Sequence, residues 1–148
     1  MWNHRKSTVC SLVCTRVVMA ALVVAAVFLP KILNFYEIKG TIGEENIVPI
    51  MVVIYCCYVP AFIALLKLDR LLTNIKKAQV FIAENVRCLR IISWCCFAAA
   101  AVILIGAKYY TLFVIVAVAM AFMGLILRVV KNVIEEAVVI KEENDYTI

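Results

Sequence analysis

The chain has 148 residues, 66% of them hydrophobic and 17% charged, with 15 basic against 10 acidic side chains and a mean hydropathy of +1.03. A soluble domain is nearer half apolar and a quarter charged. Buried helices of a soluble bundle would also need polar outer faces, which the long uncharged runs of this chain lack.

The first run lies between Lys6 and Lys31, 24 residues with Arg16 as the only charge. It follows the basic "HRK", as a signal peptide would, but it continues well past a typical h-region of about 7 to 15 residues. "AAVFLPKIL" stays apolar where a cleavage site should give way to a polar mature start, so a retained span is expected. Arg16 is within reach of the inner edge of that span, where an arginine snorkels to the headgroups. An ionisable residue inside an apolar run is also a functional candidate.

A polar stretch, "KILNFYEIKGTIGEEN", with the turn residues Gly40 and Gly43, leads to the second run. Glu45 and Lys67 bracket 21 uncharged residues there. Pro49 suits the first turn of this span, where its missing N–H costs nothing. Pro60, in "YCCYVPAF", should kink the helix and free the carbonyl of Cys56. A packing kink accounts for it, because the second half of the chain has no matching break of the kind that marks transport sites.

Between the second and third spans, "LKLDRLLTNIKKAQ" places Leu68, Leu71, Leu72 and Ile75 at helical spacing. Lys67, Arg70, Lys76 and Lys77 occupy the other face, and Arg87 and Arg90 follow. Two readings stand: an amphipathic helix lying on an anionic leaflet, or a continuation of the second span. Arg90 and Lys108 then bracket 17 uncharged residues, and Lys108 and Arg128 bracket 19. The short link "GAKYYT" makes these two spans a hairpin, with Tyr109 and Tyr110 at one interface and Trp94 at the other. Ala98 to Ala101, Ala117 and Ala121 offer small surfaces for close helix contact.

At about 1.5 Å per residue these runs reach roughly 25 to 36 Å, against a hydrocarbon core of about 30 Å. The expectation is one all-α integral membrane domain, a four-helix transmembrane bundle. Its spans fall at about 10–33, 47–66, 91–107 and 109–128, with a cytoplasmic loop at 67–90 and a cytoplasmic tail at 129–148. The N-terminal end, the middle loop and the tail carry 12 of the 15 basic residues, which places both termini inside the cell.

The tail continues the helical stripe through Val130, Val133, Ile134, Ala137 and Val138 as a cytoplasmic helix extension. From Arg128 onward it has three basic and five acidic side chains, a net of −2. The segment from Lys67 to Arg90 has six basic and two acidic, a net of +4. An acidic helix is repelled by an anionic leaflet, so its apolar face needs protein: the basic loop, in the same subunit or across a homo-oligomer, or a soluble partner.

Seven cysteines form no C-x-x-C, and His4 is the single histidine. Tetrahedral metal binding needs converging thiolates or imidazoles. Cysteines in apolar runs act as small hydrophobes, and only Cys10, Cys14 and Cys88 could meet at the inner face as a thiol switch. No phosphate loop, catalytic triad or paired carboxylate is present in any span, so neither an enzyme nor a bound cofactor is expected. The spans also lack the Asp, Glu or His relay of a proton-coupled transporter.

"FIAENVRCLRIISW" (Phe81 to Trp94), the four-span layout and the ending "IKEENDYTI" together resemble the domain of unknown function 2975 family. These are small four-span bacterial membrane proteins, and the resemblance runs from about the second span to the C-terminus. It implies a multipass protein of the bacterial cytoplasmic membrane without assigned biochemistry. It further implies a membrane-bound control module for a cytosolic helix-turn-helix transcription factor, with no direct nucleic-acid contact. Glu142, Glu143, Asn144, Asp145 and Tyr146 match the shared ending and become candidates for partner contact. The alternative is a small oligomeric transporter or channel subunit using Arg16 and Pro60. A structural or stress-protective membrane subunit is a third reading.

Overall fold

The computed structural model describes residues 4–38 and 43–146, apart from the side chains of residues 4–6, 36, 37, 44, 145 and 146. Among the described residues the architecture is all-helical, without a strand: α1 (His4–Ile38), α2 (Glu44–Lys76), α3 (Ala83–Gly106) and α4 (Phe113–Tyr146). Each is long and apolar enough to cross a membrane.

The helices are longer than the uncharged runs. The continuous α2 includes Lys67–Lys76 as its own final turns, so this stretch is part of the second span's helix and not a separate one. Its start at Glu44 also puts Pro49 more than a turn inside the helix, where the first turn had been expected. The α4 helix begins at Phe113, after a turn that occupies residues 107–112, and runs unbroken to Tyr146.

The chain reverses after α2 through Ala78, whose φ of 62° lies in the left-handed region. The Ala78 and Gln79 N–H groups donate to the carbonyls of Ile75 and Asn74 at 3.0 Å each. This satisfies the last turn's orphan carbonyls in the manner of a left-handed C-cap.

Each helix packs against its neighbours in sequence. No Cα of α1 comes within 8 Å of α3 or α4, nor any of α2 within that distance of α4. Helix α3 is the most enclosed, with Val86, Cys88, Leu89, Ile92, Ser93, Ala99 and Ala100 all buried. Small residues allow the close approaches. A Cβ on Gly106 would stand 2.8 Å from Val53, and one on Gly124 would stand 3.2 Å from Phe97. Ala99, Ala100 and Ala117 are buried as such contacts require, whereas Ala98 and Ala101 face outward.

Apolar packing concentrates at the two ends. At the hairpin end Leu29, Leu33, Ile47 and Ile50 meet Tyr110 and Phe113. At the opposite end Leu68, Leu71 and Ile75 of α2 pack with Cys88, Leu89, Leu127 and Ile134. The leucine face of the 67–76 stretch is therefore covered by α3 and α4. The same contact seats Ile134 of the α4 extension, and Val138 is buried one turn further on.

Candidate functional site

The end of the molecule that holds the α2–α3 connection carries a ring of charge. Arg16 Nε lies 3.0 Å from Asp69 Oδ1, joining α1 to α2. Arg70 pairs with Glu84 across α2 and α3. Arg90 reaches Glu135 at 3.1 Å across α3 and α4, and Lys131 meets the other oxygen of the same carboxylate at 2.5 Å. Each neighbouring pair of helices is thus linked once, at the same end, by an arginine and a carboxylate. The arginine side chains are more than half exposed, so each link fixes register and contributes little stability.

Below this girdle a neutral network fixes the α2–α3 connection. Asn85 is 1% exposed. Its Oδ1 accepts from Asn74 Nδ2 at 2.9 Å, and its Nδ2 donates to the carbonyls of Gln79 and Val80 at 2.8 Å each. On the next turns of α3, Ser93 Oγ donates to the Gly124 carbonyl at 3.0 Å, an inter-helix bond in a fully buried position. The Arg128 guanidinium lies 5.4 Å over the ring of Trp94, within cation–π range.

The stretch Glu84–Arg90 therefore divides its labour by helical face. Glu84 and Arg90 reach neighbouring helices, Asn85 holds the turn, and Val86, Cys88 and Leu89 fill the interior. Arg87 is left facing outward. With Lys67, Arg70 and Glu84 it surrounds a cavity of about 480 Å³ between α2 and α3.

The other sequence-derived candidates fall as follows. Arg16 is paired with Asp69 and stands level with the charged end of α2. Pro60 sits nine residues earlier in α2, about 13 Å along its axis. It lines a groove on the α3 flank, while Asp69 meets Arg16 of α1 on the other. Lys76 and Lys77 are exposed at the α2 terminus. Glu142, Glu143 and Asn144 are exposed on α4, while the side chains of Asp145 and Tyr146 lie outside the described residues.

Cys10 and Cys14 are exposed on α1, whereas Cys88 is buried in α3. With no α1–α3 approach within 8 Å, Cys88 is beyond disulfide reach of either, and the three do not meet. Asp69, Glu84, Glu135, Asn74, Asn85 and Ser93 were not legible as partners. Their contacts join helices far apart in sequence or close a turn whose shape no local motif announces.

Among the described residues no group of three or more His, Cys, Asp or Glu side chains is placed to hold a metal ion. The arrangement is a membrane-spanning scaffold with a charged, hydrogen-bonded collar at one end and a helix projecting beyond it. Four candidate spans of this kind define a multi-pass membrane protein. The family model described as "Protein of unknown function (DUF2975)" matches residues 41–148, and the chain belongs to that family. No curated protein and no solved structure matches it.

Proposed function

We infer that the protein is a membrane-anchored regulatory module of the bacterial cytoplasmic membrane whose α4 extension docks a soluble partner on the cytoplasmic side. A helix-turn-helix transcription factor is the partner class that fits best. The carrying observation is that α4 continues 15 residues past Lys131 to Tyr146, roughly 22 Å at helical rise. One side of the extension is seated on the molecule through Ile134 and Val138. The other side presents Val133, Val139 and Ile140, 49 to 62% exposed, beside the exposed Glu136 and Glu142.

An acidic apolar face suits a basic partner. It would be repelled by an anionic leaflet, and by an identical acidic face on a second copy. DNA-facing surfaces of transcription regulators carry the required positive charge. Occupying that surface would keep a regulator from DNA until a change in the membrane module releases it.

Two variants test this reading, one lacking residues 141–148 and one carrying Ile140→Lys with Glu142→Lys. Each should shift transcription of a reporter driven from the gene's own upstream region while membrane insertion stays intact. Unchanged reporter output from both variants, at normal membrane abundance, would remove the proposal.

A further inference from the structure

The interface between α2 and α3 carries a feature that partner docking does not use. The basic cavity of about 480 Å³ around Lys67, Arg70 and Arg87 does not end at the charged girdle. Ile91 lines both this cavity and an apolar groove of about 590 Å³ that continues between the two helices toward the hairpin end. The groove is walled by Val59, Pro60 and Ile63 of α2 and by Ile91, Cys95 and Ala98 of α3. Both stripes repeat at helical spacing: on α2 they lead through Ile63 to Lys67 and Arg70, and on α3 through Ile91 to Arg87. A cationic head and an apolar shaft lie on one line.

We propose that this groove is a binding site for one anionic phospholipid of the leaflet at the charged end, its phosphate held by Lys67 and Arg87 and an acyl chain laid along Pro60, Ile63, Cys95 and Ala98. The chemistry of the head fits a phosphate. Arg70 is engaged by Glu84, while Lys67 and Arg87 have no carboxylate partner among the described residues. Guanidinium groups suit phosphate oxygens through paired N–H donors. Basic pockets between helices at the membrane boundary are where anionic headgroups bind.

The length of the shaft fits a lipid tail. From Ile91 to Val102 at its far end the groove covers about 16 Å at helical rise. One leaflet contributes about 15 Å of the roughly 30 Å hydrocarbon core. A free phosphate would use the head and leave the groove empty, and a soluble partner would not reach into it. The small side chain of Ala98, exposed between bulkier neighbours, leaves the floor of the groove open. Pro60 belongs to this wall, which gives a role to a residue that a transport path does not require.

The test uses the full chain in detergent micelles, titrated with phosphatidylglycerol, phosphatidylcholine or glycerol 3-phosphate and read by native mass spectrometry. The wild-type chain should retain one phosphatidylglycerol in preference to phosphatidylcholine. Lys67→Gln with Arg87→Gln should weaken that retention more than tenfold. Ala98→Phe, which fills the shaft and leaves every charge in place, should also abolish the preference. Lys67→Arg with Arg87→Lys should preserve retention and guards against a folding artefact, as should Lys31→Gln at the hairpin end.

Equal retention of both lipids, or undiminished retention in the Lys67→Gln, Arg87→Gln chain, overturns the proposal. Glycerol 3-phosphate binding as well as the lipid, with no effect of Ala98→Phe, would make the site one for free phosphate and also overturns it. So does a dimer that Ala98→Phe dissociates without altering lipid retention, which would assign the groove to a second copy of the chain.

Discussion

Replacing Asn85 by alanine should destabilise the protein more than removing all three arginine links of the girdle together. Asn85 makes three hydrogen bonds of 2.8 to 2.9 Å from a position 1% exposed. At about 1 kcal/mol each, their loss costs about 3 kcal/mol. The substitution also strands the side-chain amide of Asn74, 8% exposed, and an unpaired buried donor adds about 1 kcal/mol or more. The Gln79 and Val80 carbonyls lie in a turn and regain water, so they add nothing further. By contrast, an exposed ion pair contributes about 0.2 to 1 kcal/mol, which puts the triple variant Arg16→Gln, Arg70→Gln, Arg90→Gln at about 0.6 to 3 kcal/mol, below the roughly 4 kcal/mol expected for Asn85→Ala. Reversible unfolding in mixed micelles, followed by circular dichroism, measures both. Amide exchange over residues 77–82 should speed up only in the Asn85→Ala chain. A cost below 1 kcal/mol for Asn85→Ala, or a larger cost for the triple variant, would refute the ranking of a buried neutral network above an exposed charged one.

Gly106→Ala would place a methyl 2.8 Å from Val53 and 3.0 Å from Phe113, and such overpacking costs about 1 to 3 kcal/mol; adding Val53→Ala should recover most of it in the same unfolding assay. Ser93→Ala removes the buried bond to Gly124 and should cost about 0.6 kcal/mol, the average for such bonds between membrane helices, read as a small thermal shift. Ala78→Gly should stabilise the chain by about 0.5 to 1 kcal/mol, because a φ of 62° is strained for alanine and free for glycine; a lower melting temperature would show that the turn is held differently.

The four long helices were legible because lipid imposes a one-dimensional rule: a span must be apolar over a known length. Charges interrupt the chain at Lys31, Lys67, Lys108 and Arg128, and that pattern survives without any knowledge of contacts. Helix ends were less legible, since a helix does not stop where the membrane does. Lys67–Lys76 carries both an apolar face and good helix formers, so α2 continues and uses that face on α3 and α4. Arg16 illustrates the other limit. Its sequence neighbours offer no acid, and Asp69 is 53 residues away. Only the register of α1 against α2 brings them together. Asn85 likewise reads as an ordinary polar residue in "ENVRCLR" until the Ala78 turn aims two carbonyls at it.

The packing also ranks the helices. Within α2–α4 the contacts are of the kinds that hold helices together in lipid: close approaches at Gly106 and Gly124, and the buried bond from Ser93 to Gly124. Helix α1 is attached differently. Its backbone approaches α2 alone, through Leu29 and Leu33, a bond from Tyr55 to the Ala26 carbonyl at 3.0 Å, and the Arg16–Asp69 pair. In lipid, the apolar part of that interface has no hydrophobic driving force, because acyl chains are as apolar as leucine. What remains is van der Waals fit and exposed polar contacts such as these. The family match, residues 41–148, coincides with the tightly packed α2–α4 unit and leaves α1 outside it. Helix α4, with its projecting acidic face, and the groove between α2 and α3 both belong to that unit. Displacing α1 would therefore disturb neither directly; it would act on them only through the flank of α2 that Asp69 occupies.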